Sequence, residues 1–340
     1  MATPGILPRQ DLVGLIEAGR IVGASVDCVQ PASIDLALGR RVLRLRASFL
    51  PGEGQAVGEA ARALALHELD LDGGAVLETG CVYLVELAPV LDLPDGVSGL
   101  ANPKSSTGRL DVFTRVIADG AERFDHIPAG YSGPLWVEIA PRTFPILVRP
   151  GDTLVQLRLR RGEVVPARTQ TVSIDLSGGF AVEGAREGVV GYRARRHSGL
   201  VDLRGVGAHA ASDYWDPLVA RDGQFVLDPE EFYILASREA VVIPSDHAAE
   251  MAPVALEIGE FRAHYAGFFD PGFGMVSEGG EGARAVLEVR GRDVPFLLRH
   301  GQPVAKLVFE PMSAVPDRLY GGSGSNYQGQ SLRLGKHFAI

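Results

Sequence analysis

An internal repeat constrains the fold of this 340-residue chain more than any other feature. The segment YLVELAPVLDLP resembles YILASREAVVIP, and LWVEIAPRTFPILVRPGD resembles AVLEVRGRDVPFLLRHGQ. Matched positions keep a constant offset of 150 residues: Tyr83/Tyr233, Pro94/Pro244, Glu138/Glu288, Pro145/Pro295, Arg149/Arg299 and Gly151/Gly301. A constant offset indicates a duplicated unit, and each unit is long enough to bury its own core. The sequence therefore predicts two tandem domains, residues 1–165 (the first copy) and 166–340 (the second copy).

The composition favours β structure in both copies. The chain has 42 Gly and 22 Pro residues, which separate many short segments rich in Val and Leu. In the first copy these segments are GRRVLRLRAS, CVYLVELAPVLDLP, PLWVEIA, FPILVRPG and TLVQLRLRR. Apolar runs bounded by turn residues predict strands. A helix is predicted in RQDLVGLIEAGRI, where Leu12, Leu15 and Ile16 share a face and Gly19 follows. We expect a mainly β protein made of two small barrels or sandwiches with few short helices.

Charge and cysteine content exclude several classes of function. The formal net charge is −9, and no long run of Lys or Arg appears. A broad cationic face for DNA or RNA is therefore not expected, although a local basic pocket for a small anion is. The apolar runs are too short for a membrane span, and the start of the chain lacks a signal-peptide pattern. Because Cys28 and Cys81 form neither a disulfide framework nor a metal set, we expect a cytoplasmic protein.

The run NPKSSTGRL is the strongest candidate for a binding site in the first copy. It places Lys104, Ser105, Ser106 and Arg109 around Gly108. Cations and short hydroxyl groups on a bendable backbone are suited to a phosphate chain. The alternative is a solvated turn before a strand. The corresponding part of the second copy, around APVALEIGEF, lacks these basic and hydroxyl residues.

Three motifs in this order resemble the dCTP deaminase branch of the trimeric dUTPase-like family. KSSTGR matches that family's R-S-S-x-x-R phosphate loop, and FDPGF followed by VLE matches its I-D-P-G-W-x-G hairpin and V-L-E strand. Tyr320 and the sequence NYQGQ match its glycine-rich closing tail. The first copy has a weaker hairpin, IPAGYSG, followed by WVE. Because the matches cover both copies, the chain resembles the tandem form of this family.

The resemblance implies two tandem dUTPase-like barrels and a set of substrate-binding residues. These are Lys104, Ser105, Ser106, Arg109, Asp270, Val286, Leu287, Tyr320, Asn326 and Gln330. The implied substrate is a small deoxynucleoside triphosphate, whose phosphates would carry Mg²⁺ without protein ligands. The sequence departs from the family pattern at Lys104, where arginine is usual, at Pro128, where an aspartate meets the sugar, and at Asn326, where the tail has lysine. Arg333 or Lys336 are candidates to replace that lysine. The glycines of the tail suit a flap that folds over the triphosphate.

The resemblance implies hydrolytic deamination of dCTP to dUTP and ammonia, and a carboxylate is the expected general base for this reaction. Many deaminases activate water with zinc held by H-x-E and P-C-x-x-C patterns, and neither pattern occurs in this sequence. We therefore expect no protein-bound metal and no other cofactor. Glu138 and Glu288 are the candidates because each closes an apolar strand, where burial raises a carboxyl pKa. The resemblance implies that Ser105 helps to hold the water and that Arg109 lies near the water or the phosphates.

The two copies retain different parts of this inventory, which predicts composite sites. The first copy would supply Lys104 to Arg109, and the second would supply Asp270 and Glu288. The family also implies a homo-oligomer with barrels grouped in threes. Two other functions stay open at this point. One is hydrolysis of dUTP, alone or after deamination, with Asp270 activating water at phosphorus. The other is a non-catalytic nucleotide-binding regulator.

Overall fold

The structure is a computed structural model. It describes residues 3–179, 188–253, 267–275, 282–291, 293–322 and 327–339, together with the backbone of residues 261–264. Strands dominate both copies, as predicted. Within the described ranges, no helix is long and apolar enough to cross a membrane.

Twelve strands and three α-helices are described in the first copy, and a 3-10 turn covers Val26–Cys28. The strands are β1 (Gly5–Ile6), β2 (Ile21–Val22), β3 (Ile34–Leu45), β4 (Ala65–Asp70), β5 (Ala75–Leu77), β6 (Val82–Asp92), β7 (Val97–Pro103), β8 (Val112–Ala118), β9 (His126–Ile127), β10 (Ser132–Pro141), β11 (Ile146–Val148) and β12 (Thr153–Arg161). The helices are α1 (Arg9–Glu17), α2 (Val57–Arg62) and α3 (Ser105–Gly108). The predicted helix near the N-terminus is confirmed, and Gly19 follows it with a φ of 69°.

The second copy has the following strands: β13 (Arg168–Ser173), β14 (Val189–Ala194), β15 (Val201–Asp202), β16 (His209–Ala210), β17 (Trp215–Val219), β18 (Gln224–Leu227), β19 (Phe232–Val241), β20 (His247–Pro253), β21 (Phe261–His264), β22 (Phe268–Phe269), β23 (Ala283–Gly291), β24 (Phe296–Arg299), β25 (Pro303–Pro311) and β26 (Phe338–Ala339). Its one described α-helix is α4 (Ala211–Tyr214).

The sheets keep most strand pairs within one copy. A ten-stranded sheet has the main order β8-β10-β6-β3-β12-β7-β9, and it lies entirely in the first copy. The second copy forms a five-stranded sheet, β17-β14-β19-β23-β21, and a four-stranded sheet, β13-β25-β20-β22. Strand β15 crosses between the copies and pairs with β11 in parallel. The division of the chain at residue 165 stays a prediction.

The repeat has the same strand register in both copies. Strand β10 pairs with β6 so that Glu138 faces Leu84, and β23 pairs with β19 so that Glu288 faces Ile234. The two tyrosines of the repeat make the same contact as well. The Tyr83 hydroxyl accepts a hydrogen bond from the Glu78 amide at 3.0 Å, and the Tyr233 hydroxyl accepts one from the Asp228 amide at 2.9 Å. The repeated residues therefore specify one architecture twice.

The hydrophobic interior joins the two copies. One buried cluster contains first-copy residues such as Phe144 together with Trp215, Phe232 and Phe338 of the second copy. The Phe144 ring lies 5.3 Å from Trp215 and 6.0 Å from Phe338, measured between ring centroids. A separate cluster lies inside the second copy. Because aromatic side chains bury large apolar areas, this contact fixes the copies against each other.

Candidate active site

A cavity of about 280 Å³ lies where the two copies meet, and most of the predicted site residues line it. The structure brings together Lys104, Ser105, Ser106, Arg109, Asp270, Val286, Glu288, Tyr320 and Gln330. Two predicted residues stand apart: Leu287 is fully buried in the core of the second copy, and Glu138 does not line this cavity. A third, Asn326, lies outside the described residues.

The loop from the first copy is held by the end of strand β12. The Lys104 amide donates to the Leu154 carbonyl at 2.9 Å, and the Thr107 hydroxyl donates to the same carbonyl at 2.7 Å. The Lys104 ammonium pairs with Asp35 and donates to the Thr153 hydroxyl at 2.8 Å. These contacts fix the loop on the barrel and leave Ser105 and Ser106 at the cavity wall. Strand β7 ends just before this loop.

Glu288 reaches the cavity because strand β23 alternates its side chains between two environments. Val286 and Glu288 line the cavity, whereas Leu287 and Val289 pack in the second-copy core. Glu288 is only 6% exposed. Burial raises the pKa of its carboxyl group to about 8, an increase that the Arg109 cation partly offsets. The cavity therefore contains a carboxyl group with a basicity suited to proton transfer near neutral pH.

Arg109 connects the cavity to the C-terminal tail. Its Nε lies 3.8 Å from Glu288 Oε1, and its Nη2 donates to Gln330 Oε1 at 2.9 Å. Its Nη1 donates to the Arg333 carbonyl at 3.0 Å. The guanidinium also stacks on the Tyr327 ring, with 3.9 Å between Cζ and the ring centroid. The tail residues therefore close over the side chain that neighbours Glu288.

Asp270 is buried beside a cation that the first copy supplies. Its Oδ1 lies 3.6 Å from Nη2 of Arg158, which strand β12 carries into the interface. Burial raises the Asp270 pKa to about 6, while Arg158 opposes the increase. Arg158 is fully buried, donates to the carbonyls of Ala249 and Phe269 at 3.1 and 3.2 Å, and stacks on Phe268. Asp270 is thus held by contacts that both copies provide.

The turn after Asp270 fits closely against the segment that carries Tyr320. The Tyr320 amide donates to the Pro271 carbonyl at 2.8 Å, and the Tyr320 ring packs on Phe273 with centroids 5.5 Å apart. Gly272 has a φ of +94°, and a Cβ there would lie 2.8 Å from the Cβ of Leu319. Only glycine fits this turn without strain. The backbone at Gly272 therefore defines the wall of the cavity beside Tyr320.

Glu138 occupies the equivalent register position in the first copy but meets different neighbours. Burial raises its pKa, and a hydrogen bond from Ser48 and the charge of Arg115 oppose this increase. The adjacent cluster is apolar and includes Trp136, with Val57 and Ala61 of helix α2 packed nearby. The first copy thus encloses its glutamate with its own residues. Among the described residues, no group of three or more His, Cys, Asp or Glu side chains is arranged to hold a metal ion.

Sequence reasoning did not place Arg158, Asp35 or Tyr327 in the site. Lys336 was considered only as a replacement for the tail lysine, and it lines the cavity with a pKa lowered by burial and by Lys104. A signal for Arg158 exists in TLVQLRLRR, where polar side chains alternate with leucines on a strand that must be buried. Asp35 gives a similar signal in the apolar segment SIDLAL. Both patterns indicate a polar strand face that another part of the molecule covers.

Two dUTPase-like barrels with a shared cavity of buried carboxyl groups and cations define a class of hydrolytic, nucleotide-processing enzymes. Models of the N-terminal and C-terminal domains of 2'-deoxycytidine 5'-triphosphate deaminase match residues 3–163 and 152–338. A crystal structure of 2'-deoxycytidine 5'-triphosphate deaminase from Agrobacterium tumefaciens is 50% identical, with a TM-score of 0.85, over 91% of this chain and 99% of that one. The chain belongs to the dCTP deaminase family.

Curated relatives match shorter stretches of the chain. A relative from Beutenbergia cavernae, described as "dCTP deaminase, dUMP-forming", is 32% identical over 32% of this chain and 55% of its own length. One from Streptomyces avermitilis with the same description is 31% identical over 46% of this chain and 80% of its own. One from Aeropyrum pernix, described as "dCTP deaminase", is 28% identical over 45% and 82%. The chain thus spans little more than half the length of the first of these relatives.

Proposed function

We propose that this protein hydrolyses the amino group of dCTP, with Glu288 as the general base. One observation carries the proposal: a buried glutamate from the second copy and the KSSTGR loop from the first copy line a single cavity. A nucleotide needs both parts, because its triphosphate is anionic and its base requires an activated water molecule. Lys104, Ser105 and Ser106 are proposed to bind the phosphates, and Lys336 is proposed to add a cation. Mg²⁺ would arrive on the triphosphate.

The proposed reaction uses a water molecule held near Ser105. Glu288 removes a proton from this water as the oxygen attacks C4 of cytosine, and it delivers that proton to the ring at N3. The tetrahedral intermediate then expels the amino group as ammonia after a second proton transfer, leaving uracil. The atoms balance as cytosine plus water giving uracil plus ammonia. A base with a raised pKa binds the water proton more firmly, which favours the first step.

Arg109 is proposed to act at the glutamate and at the tail together. Its contacts with Gln330, Arg333 and Tyr327 connect the C-terminal tail to the guanidinium group that lies next to Glu288. A tail that packs over bound substrate would exclude bulk water from C4. Val286, on the same strand face as Glu288, and Tyr320 are proposed to contact the base and sugar.

The second part of the proposal concerns the product: a specific observation favours release of diphosphate after deamination, which would give dUMP. Several relatives are described as dUMP-forming, which is at odds with the expectation that dUTP is the final product. Asp270 Oδ1 is buried and has no hydrogen-bond partner within the described part of the chain. A carboxylate placed there is suited to orient a second water molecule toward phosphorus. Formation of dUMP from dCTP then consumes two water molecules and releases ammonia and diphosphate.

A product assay with dCTP and dUTP as separate substrates tests these functions. Deamination predicts ammonia from dCTP, and the bifunctional reaction adds diphosphate in equal amount. Diphosphate from dUTP without ammonia from dCTP would support the hydrolase alone, and binding without either product would support a regulator. A zinc chelator in the presence of Mg²⁺ should leave ammonia release unchanged. Light scattering of the same preparation tests whether the barrels assemble in threes.

A further inference from the structure

A second ion pair lies next to Glu288 and Arg109, with its charges reversed. On strand β23, Glu288 and Arg290 point to the same side, because Val289 between them packs in the second-copy core. On the facing segment, Arg109 and Asp111 flank Leu110, which packs in the shared core. Glu288 meets Arg109, and Arg290 meets Asp111. The two segments are therefore joined by two adjacent, oppositely oriented pairs.

The Arg290–Asp111 pair is buried and tied to the rest of both copies. Asp111 is fully buried, and Arg290 is 9% exposed. Arg290 Nη2 bonds Asp111 Oδ2 and donates to the Thr143 hydroxyl at 3.0 Å, while that hydroxyl donates to Asp111 Oδ2 at 2.5 Å. Arg290 Nη1 donates to the Glu230 carbonyl at 2.5 Å and lies 3.6 Å from Oε2 of the exposed Glu230 carboxylate. The pair therefore fixes strand β23 of the second copy to two turns, one in each copy.

Asp111 also has an unusual backbone. Its φ is +54°, in the left-handed region that favours glycine. The conformation is held by hydrogen bonds from the Asp111 amide to the Gly108 carbonyl, and from the Arg142 amide to the Asp111 carbonyl, both at 2.9 Å. A strained residue persists where its surroundings over-determine it. This left-handed residue lies two positions after Arg109 and directly before strand β8, so it directs the chain out of the loop that carries Arg109.

We infer that Asp111 and Arg290 are positioning residues, whose ion pair holds Arg109 against Glu288 and balances the charge around that glutamate. This inference rests on the proposed role of Glu288 as base. Residues two apart on a strand lie about 7 Å from each other, so an unbalanced charge on either member of the pair acts on Glu288 in a water-poor interior.

Other charged groups share the cavity of Glu288: Asp27, Asp35, Lys104, Arg109, Asp270, Arg318 and Lys336. In the register of the neighbouring strand β21, His264 lies opposite Glu288 and Arg262 lies opposite Arg290. Beside the pair, Glu230 contacts both Arg290 and Arg142.

Four variants of the pair separate charge from geometry. In Asp111→Asn, the Arg290 cation loses its buried anion and keeps the exposed Glu230 carboxylate, 3.6 Å away. Its net charge then favours ionised Glu288, so the acidic limb of kcat/KM against pH moves down by up to about one pH unit. In Arg290→Met, the unbalanced Asp111 anion moves the limb up by a similar amount. The double variant returns it close to the wild-type position. Arg290→Lys keeps the positive charge but loses the planar guanidinium that binds several partners at once. The acidic limb of the pH profile therefore stays in place, while kcat falls about tenfold because Arg109 is held less well.

The control for these variants is Arg193→Met, which removes a pair with Asp216 between strands β14 and β17. It should leave both kcat and the limb unchanged. Loss of packing alone would lower activity without moving the limb in opposite directions. If Arg290→Met does not fold, Asp111→Asn and Arg290→Lys still test the inference.

Two results distinguish this inference from the proposed function. If the pair variants keep the wild-type limb and kcat within twofold, or shift the limb in one common direction, the positioning role is wrong. With such a result, the proposed function still stands if Glu288→Gln is inactive in the same assay. If Glu288→Gln releases ammonia at the wild-type rate, the proposed function itself is wrong.

Discussion

At the residue scale, Glu138 and Glu288 differ in their neighbours and agree in strand register. Glu288 lines a cavity next to Arg109, whereas Glu138 is enclosed by the first copy and lies close to Arg115. Both carboxyl groups are buried, so burial alone does not distinguish a base from a structural residue. Access to the cavity that also contains the KSSTGR loop, with its cations and hydroxyl groups, separates Glu288 from Glu138. Glu138 is therefore a matched control for Glu288 within the same chain.

The pH dependence of the reaction follows from the buried Glu288. A base must be ionised to accept a proton, and burial holds the Glu288 pKa at about 8. We therefore expect kcat/KM for dCTP to rise with pH below that value and to level off above it. Steady-state ammonia release between pH 6 and 9.5 measures this limb. Glu138→Gln should keep the same midpoint, and a flat profile across this range would contradict the prediction.

Sequence reasoning predicted most of the residues that line the cavity, because the chemistry of nucleotide binding and proton transfer restricts such sites to few residue types. The KSSTGR loop and the glutamate of the VLE strand could be read directly, since each combines charge with a turn or strand pattern. The split of KSSTGR and Asp270 between the copies predicts a site with Glu288, but the choice between Glu138 and Glu288 does not follow from the repeat itself, because both have the same strand register. It depends on which side chain faces the other copy, which only the tertiary arrangement specifies.

At the element scale, the site is built from strand faces that the opposite copy covers. Strand β12 directs Arg158 toward Asp270, and strand β23 directs Glu288 toward Arg109. Alternation along each strand sends the intervening residues into the apolar cores. The strands themselves were predictable from Val- and Leu-rich segments between turns. The residues that each polar strand face contacts in the other copy were not predictable, because contacts between the copies leave no local sequence pattern.

The tail is the element whose contribution is easiest to isolate. Tyr327→Ala removes the ring that lies 3.9 Å from the Arg109 guanidinium, a contact of roughly 0.5–2 kcal/mol. We expect kcat/KM for dCTP to fall about tenfold, since the loss of tail closure exposes Glu288 to bulk water. Tyr327→Phe keeps the ring and should retain most activity. Equal losses in both variants would assign the effect to the hydroxyl, which accepts from the Lys336 amide at 3.4 Å.

At the scale of the whole molecule, the two copies share one interior and one site. Strand β15 pairs with β11, Ser313 donates through its amide to the Ile6 carbonyl at 2.8 Å, and Phe338 packs against Phe144. The sequence predicted the duplication, because the offset is constant from Tyr83/Tyr233 to Gly151/Gly301. It did not predict that a first-copy aromatic residue would pack with the C-terminal tail.

Stability should therefore be shared between the copies. Trp215→Ala removes a buried ring at their contact and should lower the free energy of unfolding by about 3–5 kcal/mol. Because the tail packs on the same cluster, ammonia release should fall as well. Trp136→Ala is the matched control, since this ring packs in a satellite cluster of the first copy, and its activity should be unchanged. Denaturant unfolding followed by circular dichroism makes the comparison, and a Trp215 variant as stable as wild type would contradict it.

Single-turnover ammonia release from dCTP by two matched variants tests the central claim most directly. Glu288→Gln keeps the shape of the side chain and removes the base, so its rate should fall at least a thousandfold, near the upper part of the range attributed to general base catalysis. Glu138→Gln should release ammonia within about threefold of the wild-type rate. A Glu288→Gln enzyme that deaminates normally, or a Glu138→Gln enzyme that does not, would contradict a site built from the loop of one copy and the glutamate of the other.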